Sequence, residues 1–375
     1  METGTVRVED GPGGAPAVFA APRRVVAAWH PGQVAPALAE LDAARAAGHW
    51  VAGWVGYEAG FALESRLAPR FRAPEGPLLA FGIYDGPTPD TGWPDSTAAS
   101  GHLTTPEPLI TRAQYDAAFD RVAGYIAAGD IYQVNLTFPM AARWSGDPRG
   151  LYAALRARQP VPHGGFADLG VGPVVLSCSP ELFLRVGGGV VETRPMKGTA
   201  PRHPDPARDA ELAADLRASP KGQAENLMIV DLLRNDLSRV CAMGSVRVPA
   251  LFDVVSYTTV HQMVSRVVGR LLPGQGGMAP LMAALFPCGS VTGAPKIRAM
   301  EIIHELEPFP RGAYCGALGW MAPGGDASFN VTIRTISLFP DGRAVLNVGG
   351  GVVADSTATG EFEEALWKAR FAALT

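Results

Sequence analysis

The 375-residue chain carries 32 Lys plus Arg against 36 Asp plus Glu, a formal net charge of −4, and 47% hydrophobic residues. That balance argues against a basic nucleic-acid-binding surface, and no apolar run reaches the roughly 18 residues of a membrane span. The start, METGTVRVEDGPGG, has no basic segment leading into an apolar run, so no secretory signal is expected.

In chain order, residues 27–48 (AAWHPGQVAPALAELDAARAAG) show a short apolar helix pattern, followed by HWVAGWVGYEAGFALE. The Pro/Gly/Ser/Thr-rich run 85–108 reads as a loop or linker. From about residue 110 the patterning tightens. ITRAQYDAAFDRVAGYIAAGD predicts an amphipathic helix with Thr111 as N-cap. QVNLTFPMAARW reads as a strand, and GPVVLSCSPELFLRVGGGVVETRP as strands around a glycine turn. SPKGQAENLMIVDLLRNDLSRV is a helix with Pro220 in its first turn. SVRVPALFDVVSYTTVHQMVSRVVGRL is mostly strand, and GAPKIRAMEIIHELE a helix opened by Pro295. YCGALGWMAP, FNVTIRTISLFP and RAVLNVGGGVVA predict three successive strands, and the chain closes on a helix in DSTATGEFEEALWKARFAAL. Hairpin-linked strands with long helices between groups predict an α+β fold with antiparallel sheets. The expected division is a divergent region 1–109, packing on or contributing to the same fold, and a catalytic domain 110–375.

The cation inventory is skewed: 28 of the 32 basic residues are arginine, and the four lysines are Lys197, Lys221, Lys296 and Lys368. Arginine stays charged, whereas lysine becomes a nucleophile once its pKa falls. Lysines kept in so arginine-rich a chain are therefore candidates for chemistry. Lys197 sits in the turn-like TRPMKGTAPR, and a hairpin could bring Glu181 beside it as a general acid. The simpler alternative is a cross-strand ion pair.

Glu361, Glu364 and Lys368 fall on one face of the last helix, and Glu225 lies on another helix; two such carboxylates suit Mg²⁺. A solvated helix face is the simpler alternative. GSVTGAPKIRAM is a turn feeding a helix N-terminus with Lys296, which suits an anion. Gly349, Gly350 and Gly351 read as a backbone anion cradle after a strand, and Arg334 as a carboxylate clamp. The four cysteines, Cys178, Cys241, Cys288 and Cys315, are widely spaced, which predicts cytosolic free thiols and no zinc site.

GDIYQVNLT, CSPELFLRV, TRPMKGT, AENLMIVDLLRNDLSRV, GSVTGAPKIRAMEII, YCGALGW, TIRT and GGGVVADS…EFEEALWKA occur in this order. Together they resemble the chorismate-utilising enzymes over roughly residues 110–375. The resemblance implies two large antiparallel sheets packed against helices, and a Mg²⁺ cofactor on Glu225 and Glu364, with Glu361 acting through water. It implies substrate contacts at Gly198, Thr199, His261, Lys296, Tyr314, Arg334, Gly349, Gly350, Gly351 and Lys368, with Glu181 as general acid.

Two positions select the branch. The lysine that activates water in isochorismate and salicylate synthases is Gln133 here. The PMKGT position, alanine in anthranilate synthases, is Lys197, which looks like the aminodeoxychorismate synthase component I branch, where this lysine is the nucleophile. That branch implies chorismate and ammonia as substrates, cytoplasmic p-aminobenzoate and folate synthesis, and no nucleic-acid or membrane partner. With no G-x-C-x-G elbow in the chain, a separate glutaminase subunit is expected to supply the ammonia. Anthranilate synthase component I, or a related aminating chorismate enzyme of specialised metabolism, is the alternative enzyme, and a non-catalytic chorismate-binding homologue the alternative class.

Overall fold

Every strand pairing in the computed structural model is antiparallel among the residues it describes, 3–89, 93, 101–257 and 260–374. Ten residues of the run read as a linker, 90–92 and 94–100, lie outside the described residues. Its flanks form the short strands Thr88–Pro89, His102–Leu103 and Glu107–Pro108.

The described strands form an eleven-stranded and a ten-stranded sheet. The first is built around Gln133–Ser145, which pairs with Arg343–Val352 over ten residue pairs. The second has Val260–Arg270 near one edge and the run Leu182–Gly187, Ala327–Val331, Ala317–Met321, Trp50–Val55 through its middle. Side chains of both sheets meet in one large core, with Phe138 and Leu176 from the first and Phe81 and Phe329 from the second. A smaller core joins Phe19 to Trp54, Tyr84 and Trp320.

Residues 1–109 contribute to both sheets. Thr5–Val8 and Ala17–Phe19 extend the first, and Arg24–Ala28, Trp50–Val55 and Leu79–Tyr84 extend the second. No helix among the described residues is long and apolar enough to cross a membrane.

Local chemistry sets the boundaries of the helices around the site. Thr111 caps Arg112–Ala127 by accepting the Gln114 N–H, with Gln114 closing a capping box. Ser219 caps Pro220–Ser238, with Pro220 in the first turn where its missing N–H costs nothing. Thr357 caps the closing helix Ala358–Ala369. In the hairpin Leu182–Gly187/Val190–Arg194, Gly188 and Gly189 take φ of +55° and +76°, as a two-residue turn requires.

Two strand readings are corrected. FNVTIRTISLFP is not one strand. It breaks at Arg334 (φ +50°) into Ala327–Val331 in the second sheet and Thr335–Leu338 in the first. Likewise Val174–Ser177 belongs to the first sheet, while the hairpin that follows it belongs to the second. At both places the chain crosses between the sheets, and both crossings end beside the same cavity.

Candidate active site

That cavity, of about 670 Å³, lies between Met196–Pro201, Pro220–Ser238, the glycine end of Arg343–Val352 and the closing helix. Its lining includes Glu181, Lys197, Gly198, Thr199, Glu225, Tyr314, Arg334, Gly349, Gly350, Gly351, Glu361, Glu364 and Lys368.

Lys197 is partly buried, and desolvation of its amine holds its pKa below the usual lysine value. Lys368 pushes the same way, while Glu225 and Glu181 oppose it. Glu181 is 5% exposed, and its Oε1 has no hydrogen-bond partner. Burial pushes its pKa up to about 7, against a hydrogen bond with Ser290 and the charges of Lys197 and Arg334. One cavity therefore holds an amine biased toward its neutral form and a carboxyl biased toward its acid form. Arg334 is nearly buried and has its carbonyl oxygen bonded by the Cys178 N–H (3.0 Å).

The three glutamates face a mixed field. Burial raises the pKa of Glu225, and Asp355 and Glu361 add to the rise while Lys197 and Lys221 counter it. Burial also raises that of Glu361, with Glu364 adding to it; the Ser356 hydroxyl donates to Glu361 at 2.6 Å. Glu364, tied to Lys368 at 2.8 Å, lies below the usual range despite its burial. Among the described residues no three His, Cys, Asp or Glu side chains converge enough to hold a metal by themselves. Mg²⁺, however, is usually held by one or two carboxylates, with waters and substrate oxygens completing its shell. Glu225 and Glu361, both with raised pKa values, line the same open cavity as the more exposed Glu364 and fit that donor set.

The glycine run differs from its reading. Gly349–Gly351 lie within a strand, paired with Thr137–Asn135 along one edge, while the strand on the other side pairs only as far as Leu346. They make room. A Cβ on Gly351 would stand 2.8 Å from Lys197 Nζ and 3.1 Å from Gln133 Nε2; one on Gly350 would stand 2.7 Å from Glu361 Oε2. Lys368 Nζ donates to the Gly349 carbonyl at 2.9 Å. The Gly351 backbone is not left-handed, and the lysine end is flexible. Gly351→Ala is therefore expected to change stability by less than about 1 kcal/mol but to push the amine aside. Turnover should fall by roughly tenfold or more, to be checked by melting temperature and steady-state kinetics on one preparation.

Two predicted substrate contacts lie outside the cavity lining. Along Val260–Arg270 successive side chains point to opposite faces: Val260 and Gln262 line the cavity, and His261 faces away. His261 is 2% exposed, with Nε2 2.9 Å from Asp209 and Nδ1 2.8 Å from Ser256. Lys296 reaches across to the Pro220–Ser238 helix, donating to Asp236 at 2.6 Å and to the Leu285 carbonyl at 3.0 Å. The Lys296 amine is thus engaged with a buried carboxylate and does not face the cavity, whereas Ser290 and Val291 of the same turn line it.

Sequence reasoning missed Ser290, which bonds Glu181, because its motif was read only as an anion turn. Gln133 is fully buried beside Lys197, with neither amide atom hydrogen-bonded. An unsatisfied amide at such a place is an available polar contact for a ligand.

A family model described as chorismate binding enzyme matches residues 94–373. The chain belongs to the family of chorismate binding enzymes. It is 43% identical to aminodeoxychorismate synthase component 1 of Klebsiella aerogenes over 286 residues, 75% of this chain and 63% of that one. It is 45% identical to anthranilate synthase component 1 of Streptomyces coelicolor over 261 residues, 70% of this chain and 51% of that one. Among solved structures it is similar to anthranilate synthase component I from Streptococcus pneumoniae, with a TM-score of 0.73 and 30% identity, covering 87% of this chain and 80% of that one. The chain thus spans less than two thirds of the length of the curated relatives it matches.

Proposed function

We propose that the chain is component I of an aminodeoxychorismate synthase, converting chorismate and ammonia to 4-amino-4-deoxychorismate for p-aminobenzoate and folate synthesis. The observation that carries this reading is the pairing in one cavity of Lys197, its pKa lowered by burial, with Glu181, its pKa raised to about 7.

Neutral Lys197 Nζ adds to C2 of the chorismate ring. The two ring double bonds shift, the C4–O bond breaks, and the hydroxyl leaves as water with the proton of Glu181. Ammonia then bonds to C4, the double bonds shift back, and the C2–N bond breaks to return Lys197 as a neutral amine. The Glu181 carboxylate takes a proton from the new ammonium and is reset. Arg334 suits a carboxylate of the substrate as a bidentate clamp.

Glu225 and Glu364, with Glu361 through water, would hold Mg²⁺, which when bound neutralises the substrate's ring carboxylate. The ammonia source is a glutaminase partner subunit, consistent with the "component 1" naming of the relative. The four free, buried cysteines suit a reducing cytoplasm.

The test is incubation with chorismate, Mg²⁺ and ammonium, with mass spectrometry of the product. The mass of 4-amino-4-deoxychorismate is expected. Anthranilate formed without an added lyase would overturn the assignment in favour of anthranilate synthase.

A further inference from the structure

Behind the cavity, on the side of Tyr314, stands a buried ionic cluster that the chemistry above does not use. The Arg311 side chain is 1% exposed. Its guanidinium donates to both oxygens of Glu307 at 2.8 and 2.7 Å. It also donates to the carbonyls of Val291 at 2.9 Å and Asn135 at 2.7 Å, and it stacks 4.5 Å over the Tyr57 ring. Asn135 and Val291 are both cavity wall, and Val291 follows Ser290, the partner of Glu181. Glu307 in turn accepts the Thr137 N–H at 2.8 Å and hydroxyl at 3.0 Å, on the strand segment that pairs with Gly349.

The Arg311 backbone is held just as firmly, from the N-terminal region. Glu58, 3% exposed, accepts the Arg311 N–H on Oε1 at 2.7 Å and the Gly312 N–H on Oε2 at 3.0 Å. The Tyr57 N–H donates to the Gly312 carbonyl at 2.8 Å. Gly312 is left-handed at φ +60°, and the turn it makes delivers Tyr314 to the cavity. A carboxylate accepting two successive backbone N–H groups fixes that turn in one conformation. A planar guanidinium fork on two wall carbonyls does so for the wall.

We propose that Glu58 and Arg311 are positioning residues of the active site. Glu58, which precedes the segment matched by the family model, sets the Tyr314 turn. Through it the Arg311 guanidinium holds the Asn135 and Val291 backbone, and by way of Glu307 that of Thr137, in register with Glu181 and the glycine floor. Neither residue touches substrate. Both act on how well the cavity fits its ligand.

The inference rests on reading this cavity as the chorismate site. The experiment is calorimetric titration of chorismate into wild type, Glu58→Gln, Glu58→Ala and Arg311→Lys in the full chain, with melting temperatures and, where turnover is measurable, KM for chorismate and for ammonium. In Glu58→Gln one amide oxygen remains and an N–H faces an N–H. In Arg311→Lys the charge stays and the fork is lost. The chorismate Kd and KM are expected to rise by about tenfold or more in folded variants, with the ammonium KM within about twofold. Lowered melting temperatures with an unchanged chorismate Kd in folded Glu58→Gln and Arg311→Lys would overturn the proposal and leave the cluster a structural one. Should Glu58→Ala not accumulate, those two milder variants decide. Wild-type binding of chorismate checks the substrate reading separately, because the positioning claim is read only from the ratio of variant to wild type.

Discussion

Lys197→Arg is expected to lose ammonia-dependent turnover of chorismate by on the order of 10³-fold or more, about 4 kcal/mol of barrier, while chorismate still binds. The substitution keeps a cation in the cavity, so ground-state attraction for a dicarboxylate survives. What disappears is an amine that can become neutral, because a guanidinium stays protonated at any pH the fold tolerates. The measurement is kcat and KM side by side, with intact-protein mass spectrometry after chorismate is added without ammonia. Wild type should gain a covalent adduct on Lys197, and the variant none. Turnover by Lys197→Arg near the wild-type rate would remove the lysine from the chemistry.

Glu181→Gln is the second large effect: a fall of about 10²- to 10⁴-fold in turnover, with a changed pH profile. The working state needs Glu181 protonated and Lys197 neutral. Burial raises the first pKa to about 7 and lowers the second from its usual value. The wild-type profile should therefore be bell-shaped, with limbs that belong to the coupled pair and not to either residue. Acid solution protonates the amine, and alkaline solution strips the carboxyl. With glutamine at 181 the carboxyl member of the pair no longer titrates, so at a fixed concentration of free ammonia the residual rate should rise with pH as Lys197 loses its proton and show no alkaline fall. An alkaline fall persisting in Glu181→Gln would assign that limb to another group.

How much of this was legible from residues varies along the chain. Thr111, the helix opened by Pro220, and the closing helix could be read because capping and 3.6-residue periodicity are local signals. Lys197 stood out through composition, since a lysine among 28 arginines is conspicuous. The N-terminal strands gave no such signal. Thr5–Val8 and Leu79–Tyr84 are buried at every residue, and a strand covered on both faces has no alternation to read. His261 shows a different limit: its motif placed it beside the cavity, and only strand parity, fixed by register, turned it away. Lys296 was read from its own helix, whereas its partner Asp236 lies 60 residues earlier. Pairings of that kind come from tertiary structure alone.

The way the first hundred residues are woven into both sheets makes the folding unit larger than the segment the family model matches. The family model's match begins at residue 94, yet a cut there would strip Thr5–Val8 from the edge of Gly165–Asp168 and Trp50–Val55 from that of Ala317–Met321. Two rows of backbone donors and acceptors would then be bared at once, and a long uncovered edge is a template for other chains. The matched segment on its own should therefore aggregate, and swapping N-terminal regions between relatives would need both seams to be re-paired together.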